Sequence, residues 1–72
     1  MASVNDFIQM RDLLNASELR PLVGDEKRFL MTMLRPLRAV WFEFLDVNSF
    51  DEARVASGEL IQLCRLTGES VF

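Results

Sequence analysis

The side chains that most invite a chemical reading are two adjacent carboxylate pairs, Asp25-Glu26 and Asp51-Glu52, and a single thiol, Cys64. Paired carboxylates can divide general-acid and general-base roles, and a thiolate can attack an electrophile, but each needs a partner that tunes its pKa. The sequence holds no histidine and no tyrosine, so the commonest proton-transfer groups are missing. Both carboxylate pairs fall in a predicted first helical turn, where the helix dipole already accounts for negative charge. Cys64 falls on the apolar face of a predicted amphipathic helix, which assigns it to packing. Without histidine, zinc sites of the usual Cys/His kind are excluded. The three glycines never gather into a loop that could cradle phosphate. No catalysis, cofactor or metal is expected.

The elements that must carry any function are few. With 72 residues the chain is one domain, 1–72. It buries only about 60% of the surface its unfolded form exposes, so its stability margin is thin. The lone cysteine excludes an intrachain disulfide, leaving helix packing or self-association to supply stability. Hydrophobic residues make up 50% of the chain, which excludes a disordered tail. No basic-then-apolar leader opens the sequence, and the single cysteine suits a reducing compartment, so a cytoplasmic setting is expected. Residues 29–47 are very apolar, but Arg35 and Arg38 interrupt them, so no membrane span is expected.

Helical periodicity gives an all-α fold, a small bundle of three main helices. The first runs from about Val4 to Leu14, with Ser3 as N-cap, Asp6 in the first turn and Asn15 able to end it. Val4, Phe7, Ile8, Met10 and Leu14 form its apolar side. Ser17 to Pro21 reads as a short turn or a single helical turn, and Gly24 permits a sharp redirection. The second helix opens at Asp25-Glu26 and runs to about Val47, with Pro36 inside it. Arg28, Thr32, Arg35, Ala39, Glu43 and Asp46 fall on one narrow polar stripe, with Arg38 at its margin. The stripe keeps its phase across Pro36, which predicts one long, kinked central helix rather than two. The third helix, Phe50 to about Leu66, is introduced by a Ser49–Glu52 capping box and closed by Gly68. Its inner face collects Phe50, Ala53, Ala56, Ser57, Leu60, Ile61, Leu63 and Cys64, and its outer face Asp51, Arg54, Glu59, Gln62 and Arg65.

Two features point to a binding role. Phe, Trp, Met, Leu, Ile and Val together number 30, more than three short helices hide easily. Trp41, Phe42, Leu45 and the Met31/Met33 pair are the candidates for a self-association or partner surface, since such surfaces favour aromatics and methionine. Charge is also segregated. Residues 27–42 carry Lys27, Arg28, Arg35 and Arg38 and no acid, whereas the segments on either side are acidic. The expected partner-binding residues are Arg28, Arg35, Arg38, Trp41, Phe42, Glu43 and Leu45. The expected partner is a protein, with a homodimer formed through residues 29–47. Nucleic acid, held by the basic stripe, is the alternative reading; the net charge of −3 and the acids of the last helix oppose it. In size, acidity and helical make-up the chain resembles the small regulatory proteins with which bacteriophages block or redirect host machinery. That likeness is one of composition and carries no residues over.

Overall fold

The computed structural model describes residues 2–70. Three helices follow one another, α1 (Val4–Ser17), α2 (Gly24–Asp46) and α3 (Phe50–Thr67), and no strand occurs among the described residues. The all-α bundle with a long central helix expected from periodicity is the fold. No helix among these residues is long and apolar enough to cross a membrane.

The Ser3 hydroxyl accepts the Asp6 N–H at 3.2 Å, and the Asp6 carboxylate accepts the Ser3 N–H at 2.9 Å. Asp6 is thus a reciprocal capping partner, which satisfies two otherwise orphaned donors. The helix then outruns its expected end at Asn15 by a further half-turn. Ser17 Oγ donates to the Leu14 carbonyl at 2.6 Å, and the extension brings Ala16 against the core. The apolar side of α1 is narrower than expected. Met10 and Leu14 are buried, whereas Val4 and Ile8 are exposed.

Between α1 and α2, Leu22 is buried and anchors the connection. Glu26 folds back to accept the Val23 N–H at 3.0 Å, and its two oxygens take the two terminal nitrogens of Arg20 at 2.9 and 2.7 Å. Gly24 is the first residue of the helix, has no positive φ and makes no special turn. The Arg20 guanidinium, and after it the Val23 N–H, hold the Glu26 carboxyl at about 2, from an ordinary 4.5. A folded-state pKa below the unfolded one means a contribution to stability that is whole above the unfolded value and lost as pH falls through the folded one. Thermal melts of the wild type and Glu26→Gln should therefore differ most above pH 4.5 and converge toward pH 2. A gap that stays constant down to the lower value would show that the Arg20 clasp does not persist in solution.

α2 continues through Pro36 as a single helix. Pro36 offers no N–H to the Thr32 carbonyl, but Thr32 is exposed, so water can satisfy it. The end of α2 is where sequence expectation and structure differ most usefully. Asn48 adopts φ +59°, its N–H reaches the Leu45 carbonyl at 3.1 Å, and the Ser49 N–H reaches the Phe44 carbonyl at 2.8 Å. This pair of bonds around a left-handed residue is a Schellman closure, with asparagine in the position glycine usually holds. Ser49 is consequently fixed at φ −83°, ψ 71° and makes no side-chain cap, so the expected Ser49–Glu52 box does not form. Gly68 closes α3 as expected, at φ +75° with its N–H on the Cys64 carbonyl at 2.9 Å.

The core is built mainly between α2 and α3. Leu30, Met33, Leu34 and Leu37 meet Ala56, Leu60 and Leu63, Met10 and Leu14 close the cluster from α1, and Ala53 is buried beyond it. The small Ala53 and Ala56 let α3 lie close to the bulkier α2. α1 crosses this antiparallel hairpin obliquely. Its start lies by Phe29, Thr32 and Pro36 of α2, while the Leu14 carbonyl near its end accepts from Gln62 of α3 at 3.4 Å.

Candidate interaction surfaces

The polar stripe of α2 is fully exposed, from Arg28 through Thr32, Arg35, Arg38, Ala39 and Glu43 to Asp46. The seven expected binding residues do not form one patch on it. Arg28 lies toward the start of the helix, with Asp25 at 3.4 Å. Arg38, Trp41 and Phe42 meet directly: the Arg38 guanidinium sits 5.1 Å from the Phe42 ring centre, and the Trp41 and Phe42 rings are 5.0 Å apart at a 34° tilt. A cation over an aromatic face is attractive and orders both side chains. Leu45 is one turn beyond, and Arg35 one turn before. Glu43 is set about 140° round the helix from Arg38, on the other flank. The Met31/Met33 pair is split, with Met33 in the core and Met31 exposed.

Helical spacing shows what the Arg38–Phe42 cluster belongs to. On α2, Met31, Arg35, Arg38, Phe42 and Leu45 lie to one side of the core line, and Phe29, Pro36, Val40 and Phe44 to the other. On α3, Phe50, Ser57, Ile61 and Cys64 lie to one side, and Glu52, Val55, Glu59 and Gln62 to the other. Because the two helices run antiparallel, the first sets share one face of the hairpin and the second sets share the opposite face. α1 covers only the second. Among the described residues no helix covers the other face, which shows Met31 (44% exposed), Phe42 (44%), Phe50 (59%) and Ile61 (43%) beside Arg35 and Arg38, with Glu69 and Ser70 next to Met31 and Arg35 at one end. Phe50 and Ile61 are corrections to the expected inner face of α3. Both lie at its margin, and a margin is buried only where a further helix covers it. A sequence reading that assumes cover on both sides cannot find them.

The covered face holds a second surface that sequence reasoning missed. α1 does not fill the space over the later half of α2 and the early half of α3. The groove left is about 420 Å³, floored by Phe7, Leu37, Val40, Phe44, Val55 and Ala56 and edged by Arg11, Asp51, Glu52 and Glu59. Glu59, expected on the outer face of α3, is mostly buried here. Its Oε2 accepts Arg11 Nε at 2.9 Å, and its Oε1 is buried without a hydrogen-bond partner. Glu59 at one residue before the fully buried Leu60 was the available signal, but only the crossing of α1 decides which way such a position points.

Comparison of the chain with protein-family models, with curated proteins and with solved structures finds no match.

Proposed function

We propose that the protein is a non-catalytic regulator that binds a protein partner through the uncovered face of the α2–α3 hairpin and so inhibits or redirects it. The observation that carries this reading is the one-sided cover by α1, which leaves Phe42, Phe50, Ile61 and Met31 exposed on one face beside Arg35 and Arg38. Large apolar side chains exposed together on one face of a small protein are candidates for an interaction site. Arg38 stacked on Phe42, beside Trp41, is the sort of aromatic–arginine anchor on which binding energy concentrates. In the absence of a partner, a second copy of the chain covers the same face. Size, acidity and helical make-up match the small regulators that bacteriophages direct at host machinery, and a cytoplasm is the setting proposed.

The test is capture from a nuclease-treated bacterial lysate on immobilised wild type and on Phe42→Asp, with circular dichroism confirming that the variant is folded. One dominant protein, retained stoichiometrically by the wild type and lost by the variant, is the expected result. Retention of nuclease-sensitive material in an untreated lysate, with salt-dependent affinity and no retained protein, would overturn the reading in favour of nucleic acid.

A further inference from the structure

We infer that the groove on the covered face is a separate docking site for a basic amphipathic peptide segment, one that presents a large apolar side chain flanked by lysine or arginine. The site lies on the opposite side of the hairpin from Phe42 and is independent of the reading given above.

Shape and apolar character come first. The groove is about 420 Å³, floored by Phe7, Val40, Phe44 and Val55 from all three helices. That volume lies within the roughly 300–1,000 Å³ typical of ligand sites. Val55 is well exposed although it faces this floor, so the groove has an apolar wall with none of the described residues over it.

Charge selects the occupant. The edge carries Asp51, Glu52 and Glu59 against Arg11 alone. Arg11 is committed to Glu59, and neither Asp51 nor Glu52 has an ion pair among the described residues. An apolar floor with an acidic edge attracts a segment of opposite charge and repels an acidic one. The bonding state of Glu59 points the same way. Glu59 Oε1 is a buried carboxylate oxygen with no donor, and an acceptor removed from water without a partner is costly to the protein alone. A turn of the Glu59 side chain that brings Oε1 to the groove edge would let a lysine or arginine N–H supply that donor. The expected occupant is helical, since an amphipathic helix can place its apolar face in a groove and its cations at the edge.

The probe is a synthetic helical peptide of leucine and lysine, about four turns long, with leucines on one face. Two controls keep its length: one replaces lysine by glutamate, the other replaces leucine by serine at unchanged charge. Affinity is read by fluorescence anisotropy, and the site is located by amide chemical-shift changes in isotope-labelled protein. The leucine–lysine peptide should bind, with the largest shifts at Phe7, Val40, Phe44 and Val55, and each control should bind at least tenfold more weakly. Val55→Asp should weaken binding by a similar factor. Glu52→Lys should weaken it and flatten its salt dependence, whereas Phe42→Asp should leave it unchanged. Shifts centred on Phe42 and Phe50, equal binding of the serine control, or equal binding of the glutamate control would each overturn the assignment.

Discussion

Leu60→Ala should melt at least about 8 °C below the wild type, read by circular dichroism at 222 nm. Leu60 is fully buried and stands between the leucines of α2 and Met10 of α1 within the core cluster. Truncating such a leucine costs about 2–5 kcal/mol, from lost transfer energy and from the cavity left behind. In a domain of this size each kcal/mol moves the melting point by about 4–8 °C. A 72-residue chain has only about 4–11 kcal/mol of total stability on the usual per-residue scale, so the upper end of that cost leaves a largely unfolded protein. Ile61→Ala, one position on, should cost only about 1 kcal/mol, because its side chain is 43% exposed on the open face. Equal effects at the two positions would mean that the helical phase of α3 is wrong.

The uncovered face predicts self-association of the isolated chain. Light scattering at micromolar concentration should give about twice the 8.3 kDa chain mass, and Phe42→Asp should return it to the mass of one chain. A two-fold contact joins the same patch from both copies. With the two α2 helices antiparallel, Arg28 of one copy comes near Asp46 of the other, whereas a parallel arrangement would set like charges together. Pairs at a wet rim contribute only about 0–1 kcal/mol, so they set orientation while the apolar side chains supply the attraction. Arg28→Glu should therefore weaken the dimer several-fold at low salt, and adding Asp46→Arg should recover part of the loss. A wild type that stays at the mass of one chain at high concentration would leave the uncovered face for a different protein alone.

What the sequence made legible follows the range of the interactions. Ser3, Gly68 and the unbroken stripe of α2 are local signals, settled by a few neighbouring residues, and each lies where its residue type predicts. Ser49 and Glu52 have the right spacing for a capping box, but Asn48 takes the left-handed conformation and fixes Ser49 in the closure of α2. Two local motifs competed for one residue, and spacing alone does not rank them. The interaction surfaces were legible only in part. Arg38, Trp41 and Phe42 are neighbours along a single helix, so periodicity could group them. Phe50 and Ile61 join them only once α1 is known to lie on the opposite face. Glu43 leaves the group for a simpler reason, being on the far flank of the stripe. The groove depends on the oblique path of α1, which no single helix encodes.

The same oblique path sets an order of events during synthesis. α2 and α3 are joined by residues 47–49 alone, so their pairing closes a very short loop and costs little chain entropy. α1 emerges from the ribosome before α2 and α3 but has no surface to dock on until both exist. Fourteen residues are too few for a stable isolated helix in water. At roughly 5–20 residues per second, the 50 residues from Ser17 to Thr67 take about 3–10 s to add. During that interval Met10 and Leu14 remain solvent-exposed on an uncommitted segment. Of the three helices α1 is thus the first to be made and the last to find its place, and for those seconds its inner side is open to whatever chaperone or partner waits at the exit tunnel.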